Sequence, residues 1–375
     1  MFTTKKIVIV SVINDLVTDS RVNKTCNVLK NAGYKVVLIG RILPGSLPLP
    51  AWEFKAIRMK LAFKKGPLFY LFFNIRLFFK LLFFKCDLLF ANDLDTLLPN
   101  YLVSKLKRVP LVYDSHELFT EVPELLHSPF KRRIWLSLEK RIIPKLKYCI
   151  TVNQSIARIF EGKYGAKFEV IRNIPERIVG NEPENREAIG FPADKKILIL
   201  QGAGINIDRG AEELIEAMQF VNDAILYVIG GGDVWPSLEK KLKELHLEGK
   251  VILISKLPKP ELMRYTRNAD LGISIDKNTN PNYFNSLPNK LFDYIHAGIP
   301  VLASRLPEIE KIISNYQVGV FIESHEPRHI AETINKFLSS ALLEDFKKNT
   351  VLAARELNWE SERAKYLEFL KRIQY

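Results

Sequence analysis

The chain has 375 residues, 47% hydrophobic, 26% charged and 11% aromatic. That is more than one hydrophobic core sustains, so two domains are expected, and the composition excludes disordered, collagenous and disulfide-stapled classes. The net charge of +13 is uneven: residues 1–180 carry 30 Lys and Arg against 14 Asp and Glu, whereas residues 181–375 carry 25 against 28, so a polyanionic neighbour is expected for the first half alone.

Lys5 and Lys6 precede an apolar run at 7–13 that stops at Asn14-Asp15 with no small-residue cleavage site. It reads as a buried first strand rather than a signal core. Further apolar runs predict strands near 35–40, 87–91, 110–113, 148–152 and 168–171, then near 196–201, 225–230, 250–254, 271–275 and 300–303. Helical patterns separate them, which is the signature of an α/β chain with two doubly wound, Rossmann-like domains. The stretch 172–195, with Pro175, Gly180, Pro183, Gly190 and Pro192 among charges, reads as the linker. The expected domains are therefore 1–180 and 181–350, with a helical tail at 351–375 returning to the first. Such sheets bind ligands outside the carboxyl ends of their strands, so a cleft facing both domains is the expected active site.

The loop after the first strand, Asn14 to Arg21, contains no glycine. NAD and FAD are thereby disfavoured, and the absence of G-x-x-x-x-G-K-[ST] removes P-loop nucleotide hydrolysis. Asp19 or Ser20 is expected to cap the next helix, leaving Arg21 either on the surface or facing the cleft. Residues 55–85 interleave eight cations (Lys55, Arg58, Lys60, Lys64, Lys65, Arg76, Lys80, Lys85) with eight phenylalanines. Arg76, Lys80 and Asn74 interrupt the apolar run at 67–84, so it is not read as a spanning helix. Either the helix lies in an anionic membrane interface, or it packs on the first sheet with its lysines solvated. Cys26, Cys86 and Cys149 lie far apart with no C-x-x-C spacing, which suggests neither zinc nor disulfides and fits a reducing cytoplasm.

The second half carries three features in order. Gly202-Ala203-Gly204 opens a loop ending in Arg209-Gly210, Gly230-Gly231-Gly232-Asp233 follows the next strand, and Asn285 to Asp293 leads into Ala297-Gly298-Ile299-Pro300. Helix N-termini, bare glycine amides and an Arg/Lys pair make a metal-free diphosphate site.

Residues 197–322 resemble the C-terminal domain of GT-B fold glycosyltransferases, especially retaining family four. There a loop ending in Arg/Lys-Gly, a glycine-rich turn and an acid before A-G-x-P-V recur in this order. The first half carries Asp114-Ser115-His116-Glu117, similar to the family's histidine after the corresponding strand. The resemblance implies that Arg209 grips the donor diphosphate, that Asp293 holds the ribose hydroxyls, and that Asn285 meets the donor sugar. His116 would face that sugar from the other domain. Gly231 and Gly232 would lie near the nucleoside, with Gly202, Gly204 and Asn289 completing the donor contacts. Three departures stand out: Asn285 replaces a carboxylate, Ala203 replaces a common second arginine, and Pro288 removes a backbone N–H. Lys290 is expected to supply the missing positive charge.

The implied function is transfer of a sugar from a nucleotide-sugar donor to a glycan or lipid-linked acceptor, with retention and without a metal cofactor. The setting would be cell-surface polysaccharide or glycoconjugate synthesis by a peripheral protein at the cytoplasmic membrane face, held through residues 55–85, with no nucleic-acid partner. Rival readings are a non-catalytic binder keeping the fold, a nucleotide-sugar epimerase, and a metal-dependent transferase using Asp93-Leu94-Asp95. That D-x-D run also reads as a helix cap.

Overall fold

The computed structural model describes residues 5–63, 66–177 and 186–374; Lys64, Lys65 and the centre of the expected linker, with Gly180 and Pro183, lie outside the described residues. The chain forms two compact units, residues 1–173 with 362–375 and residues 174–361. The division thus falls seven residues before position 180, and the returning tail begins at 362 rather than 351.

In the first unit, β1 (Ile7–Asp15), β2 (Lys35–Arg41), β3 (Lys55–Met59), β4 (Leu88–Asn92), β5 (Leu111–Ser115), β6 (Tyr148–Thr151) and β7 (Glu169–Val170) form one parallel sheet in the order β3-β2-β1-β4-β5-β6-β7. In the second unit, β8 (Lys196–Gly202), β9 (Ala224–Gly230), β10 (Val251–Ser255), β11 (Leu271–Ser274), β12 (Val301–Ser304) and β13 (Gly319–Ile322) pair in parallel as β10-β9-β8-β11-β12-β13. Each sheet reverses its winding once, between β1 and β4 and between β8 and β11. The loops leaving those carboxyl ends part to opposite faces and leave a crevice.

Both sheets are covered on both faces, which explains why their strands read as continuous apolar runs. In β8, Leu198 and Leu200 point into one core with Leu226, Val228 and Ile273, while Ile197 and Ile199 point into the other with Tyr227, Ile229 and Val301. In the first unit, Phe90 stacks on Tyr366 and Tyr148 meets Phe369 edge-on, so the helix Trp359–Lys371 supplies part of that unit's core.

Two strands escaped the sequence reading, β3 and β13, and both are sheet edges. An edge strand is half-solvated, and β3 (KAIRM) places charges where a central strand would be apolar. The basic, aromatic segment therefore begins as this strand. Its helix, Gly66–Phe83, buries one stripe, Phe69, Phe73, Leu77 and Leu81, against the first sheet. Each such side chain contributes roughly 1.5–3 kcal/mol of burial. By length and composition alone this helix is apolar enough to cross a membrane, but its buried stripe is committed to the core. A second stripe, Leu68, Leu71, Ile75, Phe79 and Phe83, faces outward.

Candidate active site

The loop from β8 reaches Arg209 just before the helix Ala211–Ala217. Gly210 adopts φ +77° there, and a Cβ would lie 2.4 Å from the Ile275 carbonyl oxygen, so only glycine lets this turn approach β11. Asp276, the second residue beyond β11, is fully buried and holds two cations: Arg209 Nη1 at 2.8 Å and Lys290 Nζ at 3.1 Å. Arg209 also stacks on the Tyr283 ring, 3.9 Å from its centroid, and its Nε has no hydrogen-bond partner. Burial raises Asp276's pKa, but Lys290 and Arg209 outweigh it and hold the carboxylate below its ordinary range. Burial and, more weakly, the neighbouring guanidinium pull the Lys290 ammonium down despite Asp276.

Lys290 is the second residue of the helix Asn289–Ala297, preceded by Pro288, which offers no side-chain cap. Exposed Asn289 opens its first turn, so the amides and dipole of this end are available to an anion. The diphosphate-binding residues expected from sequence, Arg209, Lys290 and Asn289, thus converge at the winding reversal of the second sheet.

Asp293, one turn on, accepts from Gln201 Nε2 at 2.9 Å and pairs with Lys259 Nζ at 2.5 Å. Tyr294 fixes this helix beneath the sheet: its hydroxyl donates to the Ile273 carbonyl at 3.1 Å, and its ring fills the space a side chain at Gly272 would need. Asn285 ends the short helix Pro281–Phe284, and its amide nitrogen donates to the Pro281 carbonyl at 2.8 Å. Its amide thus ties it to the first residue of that turn.

The glycines have a packing role. A Cβ on Gly232 would lie 2.0 Å from the Ile205 oxygen, and one on Gly230 1.9 Å from the Gly202 oxygen. Ile207 N–H donates to Asp233 at 3.1 Å, and Asp233 N–H to Asn206 at 3.3 Å. Gly202, Gly204, Gly231 and Gly232 belong to two loops latched together, which fixes the loop that carries Arg209.

In the first unit, His116 follows β5. Its backbone N–H donates to Asp93 Oδ1 at 2.8 Å, Nδ1 lies 3.2 Å from Asp93 Oδ2, and Nε2 lies 3.3 Å from Asn92 Oδ1 and 3.7 Å from Asp114 Oδ2. Burial alone would lower its pKa, but Asp93 and Asp114 together raise it to about 9. Asp93 sits at the N-cap position of the helix Leu94–Lys107 with φ 57°, yet its side chain makes no capping bond, contrary to expectation. Such backbone strain costs of order 1–3 kcal/mol and persists where surroundings enforce it; here His116 does so. Burial, then Asp93's charge, pushes Asp95 well above the usual carboxylate range, and its Oδ1 has no partner. The D-x-D acids are thus one histidine partner and one buried carboxyl. Among the described residues no group of three or more His, Cys, Asp or Glu side chains is arranged to hold a metal ion.

Arg21 is not on the surface. Asp19 caps the helix Ser20–Asn31, and Arg21 is 5% exposed, its Nη2 2.6 Å from Asp114 Oδ1 and its Nη1 2.7 Å from the Ile171 carbonyl. Asp114 is held at about 2, burial being outweighed by Arg21 and His116. Sequence reasoning also missed Asp276, although its place directly after a strand was a usable signal.

Two reversed-winding parallel sheets with these sites define a GT-B fold chain, and the solved structures agree. A sucrose-phosphate synthase from Thermosynechococcus elongatus matches with TM-score 0.81 over 98% of this chain and 99% of that one at 16% identity. Anabaena HepE in complex with UDP and glucose matches with TM-score 0.74 over 98% and 99%, also at 16% identity. The family models are more specific: "Glycosyl transferases group 1" matches residues 181–352, and "Glycosyltransferase Family 4" matches residues 20–175. The chain belongs to the group 1 glycosyltransferases. A D-inositol 3-phosphate glycosyltransferase of Acidothermus cellulolyticus is 23% identical over 280 residues, 68% of this chain and 60% of that relative, so the match spans under two thirds of its length.

Proposed function

We propose that the protein transfers a sugar from a nucleotide-sugar donor, bound by residues 174–361, to a glycan or lipid-linked acceptor, with retention of anomeric configuration. The observation that carries this is the Arg209–Asp276–Lys290 cluster at the winding reversal, beside the uncapped start of the helix Asn289–Ala297. Breaking the sugar–phosphate bond leaves negative charge on the diphosphate, and two fixed cations with helix amides stabilise that charge as it forms. The acceptor hydroxyl attacks the anomeric carbon on the face the diphosphate leaves, and its proton passes to the departing oxygen. With this charge supplied by side chains the reading needs no metal, so turnover should survive a chelator. Asp293 and Gln201 would meet the ribose, and Asn285 the donor sugar. HepE, whose solved complexes include UDP-glucose, supports a nucleotide-sugar ligand.

For the acceptor side we propose docking on an anionic lipid surface at the cytoplasmic membrane face, within cell-surface polysaccharide or glycoconjugate synthesis. The outward stripe of the helix Gly66–Phe83 is flanked by Arg76 and Lys80, and the exposed Phe130 is followed by the exposed Lys131 and Arg133. Apolar insertion and lipid-facing cations are the two parts of interfacial binding.

A thermal-shift screen of nucleotide sugars tests the donor reading, with Arg209→Ala as control. Stabilisation of the wild type by one of them, lost in the variant, is expected. No stabilisation by any would favour a non-catalytic binder.

A further inference from the structure

We propose that Arg21 is a positioning residue for His116: through Asp114 it fixes the imidazole between Asp93 and Asn92, with both ring nitrogens protonated, at the carboxyl edge of the first sheet. The inference rests on the transferase reading only for its kinetic consequence. Its geometric basis is independent.

Each ring nitrogen of His116 faces an oxygen. Nδ1 lies 3.2 Å from Asp93 Oδ2, and Nε2 lies 3.3 Å from Asn92 Oδ1. The Asn92 amide cannot be reversed without loss, because its Nδ2 donates to the Ser11 carbonyl at 3.0 Å. A ring with acceptors on both sides donates from both, so it is an imidazolium. Arg21 makes this arrangement stable. Its Nε and Nη2 grip Asp114 as a fork, at 3.0 Å to Oδ2 and 2.6 Å to Oδ1, while Nη1 is anchored on the Ile171 carbonyl. The planar guanidinium fixes the carboxylate plane, leaving Oδ2 3.7 Å from His116 Nε2.

The charged groups facing the ring come from three elements: Asp114 from β5, Asp93 and Asp95 from the start of the helix Leu94–Lys107, and Arg21 from the helix Ser20–Asn31. Two cations, Arg21 and His116, face the carboxyl groups of Asp93 and Asp114, while burial pushes the Asp93 carboxyl up and the Asp95 carboxyl well above the usual range. A neutral histidine would take a positive charge away from between the Asp93 and Asp114 carboxyl groups, which is costly in buried surroundings. His116 therefore acts as a fixed cation rather than as a base.

The test uses the full chain labelled with 15N-histidine, with His116→Gln to assign the signal. Two-bond 15N–1H correlation at pH 7.5 should show both His116 nitrogens protonated; a neutral ring in the wild type overturns the proposal. Removing Arg21 alone strands a buried carboxylate, so the working variant is Arg21→Met with Asp114→Asn, which removes both charges. It should fold, lower the half-protonation pH of His116 by at least about one unit, and cut turnover about 100-fold through ring misplacement, with UDP and GDP affinities as in the wild type. A folded double variant with unchanged His116 protonation overturns the proposal. Absence of turnover in the wild type would refute the transferase reading and leave the NMR comparison intact.

Discussion

Asp276 makes the sharpest quantitative demand. Changing it to asparagine keeps the shape of a fully buried side chain but removes the charge that holds Arg209 at 2.8 Å and Lys290 at 3.1 Å. Arg209 is partly exposed and can turn outward, whereas the Lys290 side chain is only 12% exposed and is already destabilised as an ammonium by its burial. Removing one partner of a buried ion pair typically costs about 3–5 kcal/mol. For a unit of this size each kcal/mol lowers the melting temperature by roughly 2–4 °C, so Asp276→Asn should lower the calorimetric transition of residues 174–361 by about 6–20 °C. Adding Lys290→Met removes the stranded charge and should restore at least half of the loss. A nucleoside diphosphate should stabilise Asp276→Asn more than the wild type, because the phosphates replace the missing carboxylate. A shift below about 2 °C, or no recovery in the double variant, would refute the idea that Asp276 assembles the cation pair.

Lys290→Ala and Arg209→Ala should each reduce turnover by about 100- to 1000-fold, measured as nucleotide release; an unchanged rate for Lys290→Ala would show that it does not compensate for Ala203. The pKa of His116 is raised from 6.5 to about 9, so its stabilising contribution, up to ~3 kcal/mol, is complete below pH 6.5 and is lost as pH rises through about 9. Melting temperature should therefore fall across that window, and the fall should flatten in His116→Asn. Gly232→Ala should cost about 1–3 kcal/mol by urea unfolding, since its methyl group would meet the Ile205 oxygen. Phe79→Asp with Phe83→Asp should abolish sedimentation with vesicles rich in phosphatidylserine while leaving the melting temperature within about 1 °C, because both side chains are exposed.

What the sequence revealed follows from which interactions are local. The positions of Arg209 and Lys290 beyond strand ends were legible because glycine-bearing loops and a helix start mark those ends within a few residues, whereas Asp293 was singled out by the family resemblance alone. Asp276 was overlooked because its partners lie 67 and 14 residues away. Arg21 and Asp114 are 93 residues apart, and neither segment alone shows that an arginine in a first helical turn is buried. The glycine triplet was legible as a turn, but its reason is the carbonyl of a neighbouring loop that no short window contains. The edge strands β3 and β13 were lost because half-solvated backbone dilutes the apolar pattern that marked their central neighbours.

The latch between the β8 and β9 loops has an evolutionary consequence. Gly230 and Gly232 through close backbone contacts, and Asn206 and Asp233 through side-chain oxygens that accept from backbone N–H groups, fix the loop of Arg209, whereas Asn285 hangs on the separate turn Pro281–Phe284. Under the proposed function, grip on a diphosphate and choice of sugar would thus be written on different pieces of chain. On that reading, exchanging the residue at 285 would change the sugar while leaving the anchor unaltered.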